Sequence, residues 1–197
     1  MSQESEHPRD PATGLPIPQD DGAADGLPGR ALPALALPST SGGLIDLADY
    51  AREARTLVLY IYPRTGTPGV ALPEGWDEIP GARGCTTQSC SFRDHEAELR
   101  ELGASVVGLS AQTPAEQAEF AARERIPYPL LSDPDLRLAD MLGLPTFTAA
   151  GMTLYRRITL IVRDETIARV FYPVFPPDRN AAEVAAWLSA PPASARL

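Results

Sequence analysis

The feature that most constrains the fold is an uninterrupted run of apolar and β-forming residues at Thr56–Tyr62, which Pro63 ends. The run shows no alternation of polar and apolar residues, so it predicts a strand that is buried on both faces. A second run of the same kind follows at Ala104–Ser110. Because such strands need helices on both sides of their sheet, the two runs predict the centre of an α/β domain.

The segments around these strands alternate between helix and strand and end in a hairpin. A helix is predicted at Cys85–Gly103, and another runs from Thr113 to about Arg125 with a capping threonine and a proline in its first turn. The hairpin joins Arg157–Val162 to Thr166–Tyr172, and a helix at Asp178–Leu188 closes the domain. Shorter elements are predicted at Leu32–Leu37, Leu44–Leu47, Ala48–Ala54, Tyr128–Leu131 and Asp133–Gly143. This order, parallel first and antiparallel last, predicts a thioredoxin-like α/β sandwich, in which helices flank a central mixed sheet.

Composition divides the 197 residues into one domain and two tails. Residues 1–30 are rich in proline and glycine and carry six acidic residues against two arginines. A segment of this composition buries too little apolar surface to offset the entropy of ordering it, so a disordered tail is predicted. Residues 191–197 are predicted to be loose, which leaves the ordered domain at residues 31–190.

The charge of the chain excludes some classes of partner. The formal net charge is −9, and all 17 basic residues are arginines without a basic block. Nucleic acid and anionic membrane surfaces are therefore not expected partners. The chain has no apolar run of transmembrane length and no secretory signal at its amino terminus, so a cytoplasmic location is expected.

The two cysteines, Cys85 and Cys90, are the sequence feature that points to chemistry. Residues five apart on a helix have Cα atoms about 8.6 Å apart, whereas a disulfide tolerates at most roughly 7 Å. The pair therefore cannot bridge until the helix unwinds. Cys85 opens the helix, where the dipole favours a thiolate, and it shares the apolar face of Phe92 and Leu99, while Cys90 lies about 140° around the axis. The alternative is that both cysteines are small buried apolar residues.

Metal binding is a weaker interpretation of the same residues. In a reducing compartment a cysteine pair is more often catalytic or metal-binding than structural. A structural zinc site needs two further ligands, and the histidines available are His7 in the tail and His95 on a charged helix face. We therefore expect no metal and no other cofactor.

Several motifs resemble those of one enzyme family, in the same order along the chain. Gly84–Asp94 resembles the active-site segment of peroxiredoxins of the Q type, the bacterioferritin-comigratory-protein class. Tyr60–Gly69 is similar to the family's strand followed by Pro-x-x-x-Thr, and Pro129–Asp135 is similar to its PLLSDPD stretch. Arg157–Ile161 resembles the strand that carries the family's catalytic arginine. The resemblance extends over roughly residues 31–190.

The resemblance implies a peroxidase that works through a cysteine. Cys85 would be the peroxidatic thiolate, and Arg157 would stabilise that thiolate and the peroxide oxygens. Thr67 would hydrogen-bond the peroxide, and Pro63 would shield the sulfur from water. Cys90 would form an intramolecular disulfide with Cys85, which a thioredoxin-like dithiol would reduce. Since both sulfurs lie on one chain, a monomer or weak homodimer would suffice.

One segment departs from the family pattern. Fifteen residues, Val70–Gly84, stand between the Pro-x-x-x-Thr motif and Cys85, which the family has close together. We expect this insertion to loop out and leave Thr67 beside Cys85, because the cost of closing a loop grows only slowly with its length. Alternatively the insertion displaces Thr67, and Thr86 or a backbone group substitutes. Trp76 either fastens the insertion to the domain or contributes to a substrate or partner surface.

Two other functions remain open from the sequence. The first is a thiol–disulfide oxidoreductase that acts on proteins, although that class usually carries a C-x-x-C motif and this chain has none. The second is a catalytically idle, redoxin-like binding module whose insertion blocks the pocket.

Overall fold

A five-stranded mixed sheet is the centre of the computed structural model, which describes residues 7–190. The strands are β1 (Ala36–Pro38), β2 (Leu44–Asp46), β3 (Thr56–Ile61), β4 (Ser105–Ser110), β5 (Leu130–Ser132), β6 (Thr146–Ala149), β7 (Met152–Tyr155), β8 (Ile158–Arg163) and β9 (Thr166–Phe171). The helices are α1 (Leu47–Ala54), α2 (Cys85–Asp94), α3 (Glu96–Glu101), α4 (Pro114–Glu124), α5 (Arg137–Leu142) and α6 (Asn180–Ser189).

The sheet order is β5-β4-β3-β8-β9. Strand β3 pairs in parallel with β4, and β4 pairs in parallel with β5. On its other side β3 is antiparallel to β8, which is antiparallel to β9. The prediction of an α/β fold with a central mixed sheet, parallel in its first part and antiparallel in its last, is therefore confirmed.

The central strand β3 divides the core into two layers. Leu57, Leu59 and Ile61 point into one apolar cluster, while Val58 and Tyr60 point into the other, as the two-residue period of a strand requires. The second layer also contains Cys85, so α2 packs on the tyrosine-bearing face of the sheet.

Gly108 on β4 makes room for one of these tyrosines. It pairs with Tyr60 across the sheet, and a Cβ atom there would lie 2.7 Å from the Tyr60 ring and 2.6 Å from Leu130. A larger residue would fit only if the side chains of Tyr60 and Leu130 moved.

The helix predicted over Cys85–Gly103 is in fact two helices. His95 has φ −97° and ψ 2°, so α2 ends before it and α3 begins after it. The prediction of one continuous helix was therefore wrong.

A short hairpin, β6–β7, was not predicted. Its turn is formed by Ala150 and Gly151, which both have positive φ angles. The strands on either side have only four residues each, too few to give a clear periodic pattern.

The amino-terminal segment differs most from its prediction. Within the described part of the chain, residues 7–30 lie against the domain instead of forming a disordered tail. Leu27 is 2% exposed, the Gly29 N–H donates to the Ile167 carbonyl at 2.8 Å, and the Ile167 N–H donates to the Arg30 carbonyl at 2.8 Å. The segment therefore pairs with the edge strand β9. These hydrogen bonds to the sheet hold it in place, although its composition could not support a core of its own. The predictions for residues 1–6 and 191–197 lie outside the described residues.

Candidate active site

Cys85 occupies the first position of α2, and Gly84 forms the cap before it. Gly84 has φ +93°, and a Cβ atom on it would overlap Pro177. Both conditions require glycine at this position. The turn buries Cys85 to 2% exposure with its sulfur at the positive end of the helix.

Arg157 lies directly against this sulfur. It directly precedes β8, whose first residue pairs with Ile61 at the carboxyl end of β3. The arginine therefore lies at the end of the sheet from which these strands emerge, next to the start of α2. Its Nη2 atom is 3.2 Å from the Cys85 sulfur, and the residue is 3% exposed. A buried guanidinium at this distance can donate a charge-assisted hydrogen bond to the sulfur.

A buried polar network holds the arginine in place. The Arg157 Nη1 donates to the Gln88 side-chain oxygen, and the Gln88 amide donates to Asn180 at 3.0 Å. Thr159, two residues along the strand from Arg157 and on the same face, donates to the same Asn180 oxygen at 2.7 Å. The sequence analysis missed Gln88, although its position one turn after Cys85 places it on the same helix face.

The end of the insertion also contacts the arginine. The carbonyl oxygens of Arg83 and Gly81 lie 2.8 and 3.1 Å from Arg157 Nη2, and the Ala82 carbonyl oxygen lies 3.6 Å from the Cys85 sulfur. The Arg157 Nε–H is buried and has no acceptor among residues 7–190. One donor of the guanidinium is therefore left without a protein partner.

Trp76 fastens the insertion to the domain. Its side chain is 3% exposed and packs with Ala82 and Leu154, and its ring centroid lies 6.2 Å from that of Phe147. The anchor is thus the β6–β7 hairpin that the sequence analysis did not foresee.

A cavity of about 310 Å³ opens beside Cys85. Its lining residues are Arg64, Gly66, Val70, Leu72, Trp76, Ala82, Arg83, Gly84, Cys85, Thr86 and Thr87. The insertion therefore forms a wall of the cavity and leaves Cys85 open to it.

Two residues predicted for the site are not among those that line this cavity. Thr67 is exposed and is not among the residues that line the cavity. Pro63 is buried directly after β3 and does not line it either. No hydrogen bond joins Thr67 to the sulfur among the described residues, whereas Thr86, the alternative considered from the sequence, borders the cavity.

Cys90 lies in a different environment from Cys85. Its sulfur is half-buried, 3.6 Å from a carboxylate oxygen of Glu124 in α4, and neither cysteine is in a disulfide. Burial raises the pKa of the Cys90 thiol; the charge of Arg93 opposes this shift and the Glu124 carboxylate adds to it. The fold therefore favours a protonated Cys90, while the sulfur of Cys85 faces a cation.

Two general features complete the description of residues 7–190. They contain no group of three His, Cys, Asp or Glu side chains placed to hold a metal ion. None of their helices combines the length and the apolar character needed to cross a membrane.

Comparisons with known proteins identify similar sequences and structures. A family model described as Redoxin matches residues 27–187. A Mycobacterium tuberculosis protein assigned to the peroxiredoxins is 37% identical over 116 residues, a match that covers 59% of this chain but only 63% of that relative. A Haemophilus influenzae protein assigned to the peroxiredoxins as Bcp is 30% identical over 147 residues, which cover 73% of this chain and 84% of that one.

A solved structure extends the similarity to the fold. The crystal structure of peroxidoxin BcpB from Mycobacterium tuberculosis superimposes with a TM-score of 0.65 at 29% identity, and the match covers 82% of this chain and 96% of that one. Together with the family match, this similarity confirms the predicted thioredoxin-like fold.

Proposed function

Because this chain belongs to the redoxin family, as a peroxiredoxin of the Q type, we propose that it is a thiol-dependent peroxidase that reduces hydroperoxides. The observation that carries the proposal is the 3.2 Å contact between the Cys85 sulfur and Arg157, at the start of a helix and beside a cavity. That contact supplies what a nucleophilic cysteine needs, a thiolate stabilised by a fixed positive charge.

In the first step the Cys85 thiolate attacks the terminal oxygen of the hydroperoxide. A sulfur–oxygen bond forms, the oxygen–oxygen bond breaks, and the leaving alkoxide or hydroxide takes up a proton. The sulfur is thereby oxidised to sulfenic acid and the peroxide is reduced to an alcohol or water. The Arg157 guanidinium, whose Nη2 lies 3.2 Å from the sulfur, would stabilise the negative charge of the thiolate and of the leaving oxygen.

The hydroxyl contact with the peroxide is assigned to Thr86. It borders the cavity, whereas Thr67 is exposed outside it. The shielding role of Pro63 stays a prediction.

In the second step Cys90 attacks the sulfenic acid of Cys85, which gives an intramolecular disulfide and water. The two residues lie in α2, so this helix must unwind, and Cys90 must leave Glu124. A thioredoxin-like dithiol then reduces the disulfide. The dithiol supplies the two electrons that the hydroperoxide accepts, so the scheme uses no metal or organic cofactor. Because both cysteines lie on one chain, a monomer or weak homodimer in the cytoplasm can complete the cycle.

The test is peroxide consumption with thioredoxin and its reductase. Cys85→Ser should be inactive, whereas Cys90→Ser should reduce a single equivalent of peroxide and stop as a sulfenic acid that dimedone labels. Equal activity of wild type and Cys85→Ser would eliminate the peroxidase. Reduction of protein disulfides without peroxide turnover would support the oxidoreductase alternative, and the cavity beside Cys85 counts against an idle module with a blocked pocket.

A further inference from the structure

The insertion places exposed apolar side chains beside the reactive sulfur. Among residues 7–190 four large apolar side chains are exposed, namely Leu44, Val70, Leu72 and Met141. Val70 is 65% exposed and Leu72 36% exposed, and both line the cavity at Cys85, whereas the other two do not. Such side chains cost little at isolated positions, but their concentration at a concave site indicates a ligand.

The cavity is much larger than hydrogen peroxide requires. A water molecule occupies about 30 Å³ of liquid volume, so a molecule of two oxygens takes up only a small part of the 310 Å³ available. The apolar part of the lining includes Val70, Leu72 and Trp76, beside the polar residues Arg64, Arg83, Thr86 and Thr87. Small peroxides would leave this apolar wall in contact with water.

The charged residues of the cavity are already paired. Arg64 forms a salt bridge with Glu116 at 3.1 Å, and Arg83 contacts both carboxylate oxygens of Asp77. An anionic ligand would have to compete with these carboxylates. The cavity therefore favours an uncharged ligand.

We propose that the insertion forms a binding site for the apolar substituent of an uncharged organic hydroperoxide, with Val70 and Leu72 as the residues that determine this specificity. The inference rests on the proposed peroxidase function and concerns its substrate. When the thiolate of Cys85 takes the terminal oxygen and the oxygen–oxygen bond breaks, the organic part leaves as an alcohol that carries the proton gained by its oxygen. The substituent on that oxygen lies against the insertion throughout this step.

A docking surface for the reductant is the competing explanation. The reductant has to reach a disulfide that forms only after α2 unwinds, so the sulfur it attacks no longer lies at the first turn of an intact helix. The side chains discussed here border the cavity of the reduced, folded site, where the peroxide reacts. The substrate is therefore the occupant that the geometry favours.

The experiment compares two peroxides on the pre-steady-state oxidation of Cys85, followed by intrinsic fluorescence. The readout is the ratio of the second-order rate constants for cumene hydroperoxide and hydrogen peroxide. In the double variant Val70→Ser, Leu72→Ser this ratio should fall about tenfold, the size expected when apolar contacts with a substrate are lost. The control Leu44→Ser, Met141→Ser removes the two exposed apolar side chains outside the cavity and should leave both rate constants unchanged.

The outcomes separate this inference from the proposed function. If neither peroxide oxidises Cys85 in the wild type, the peroxidase function fails and the inference fails with it. If the wild type reacts with peroxide and the double variant keeps the wild-type ratio, the inference alone is overturned. A double variant with an unchanged ratio but slower reduction of its disulfide by thioredoxin would assign the surface to the reductant and would also overturn it.

Discussion

At the scale of single residues, the two sulfurs are distinguished by the charge that each one faces. Cys85 contacts the guanidinium of Arg157 at 3.2 Å, while Cys90 contacts the carboxylate of Glu124 at 3.6 Å. The carboxylate contributes to the raised pKa of Cys90, whereas the sulfur of Cys85 has a cation as its neighbour. In the proposed mechanism this contrast distinguishes the nucleophile from the cysteine that reacts with its sulfenic acid.

Replacing the arginine tests the first contact. Arg157→Lys keeps the charge but loses the fork that reaches Cys85 and Gln88 together, so the rate of Cys85 oxidation should fall about a hundredfold. This rate is measured by stopped-flow oxidation with hydrogen peroxide. Arg156→Lys is the matched control, because that neighbouring guanidinium lies 5.9 Å from the centre of the Phe147 ring and has no contact with Cys85 among those described. Similar rates for the two variants would contradict the role of Arg157.

Glu124→Gln tests the second contact. The raised pKa of Cys90 means that the folded state holds its proton more tightly than the unfolded state, so stability falls as the pH rises above the pKa of a free thiol. Removing the carboxylate removes one cause of the raised pKa of Cys90, so alkylation of this thiol in the reduced, folded Cys85→Ser protein should become several-fold faster at neutral pH. The pH profile of the alkylation rate should shift towards lower pH.

The control for this variant is Glu119→Gln. Glu119 and Glu124 both bind Arg123, but Glu119 has no contact with Cys90. The charged and titratable groups around Cys90 are Tyr60, Arg93, Asp94, Arg123, Glu124 and Tyr128. If Glu119→Gln shifts the profile as much as Glu124→Gln, the effect belongs to the ion pairs of Arg123 and not to the carboxylate beside the sulfur.

At the scale of elements, local sequence patterns predicted the parts of the site that local forces determine. The apolar, β-rich run at Thr56–Tyr62 predicted a buried strand, and the glycine before Cys85 marked where α2 begins. The route of the insertion could not be predicted, because it depends on Trp76 reaching a hairpin far along the chain. The position of Thr67 could not be predicted for the same reason, because this residue lies just before the insertion.

Gly84→Ala tests the geometry at the start of α2. A side chain there meets a positive φ angle and overlaps Pro177, so the free energy of unfolding should fall by roughly 2–4 kcal/mol. Gly69→Ala carries the same type of strain at φ +77° with no atom within 4 Å, and it should cost only about 1 kcal/mol. Urea denaturation measures both. Equal losses would show that the contact with Pro177 does not constrain the helix start.

At the scale of the whole molecule, the amino-terminal segment shows the limit of composition as a predictor. Residues 7–30 lack an apolar core of their own, but they contribute Ala24 and Leu27 to the core of the domain. Composition measures what a segment can bury by itself, whereas this one is ordered by hydrogen bonds to β9. A contact between distant parts of the chain leaves no local pattern.

Leu27→Ala tests whether the segment contributes to the fold. The side chain is 2% exposed, so its truncation should lower the free energy of unfolding by about 2–4 kcal/mol in chemical denaturation. Leu44→Ala, at a site that is 68% exposed, should change it by no more than about 0.5 kcal/mol. If Leu27→Ala were as mild as Leu44→Ala, the segment would be the disordered tail that its composition predicts.

In the proposed cycle, the interruption at His95 limits how much of the helical segment has to unwind. Both cysteines belong to the ten residues of α2, whereas Leu99, buried with Val106 in the same apolar layer, belongs to α3. Unwinding for the proposed disulfide could stop at this junction and leave α3 packed on the sheet. Because so short a segment refolds on the order of a microsecond, the encounter with the reductant, and not refolding, would then set the rate of recovery.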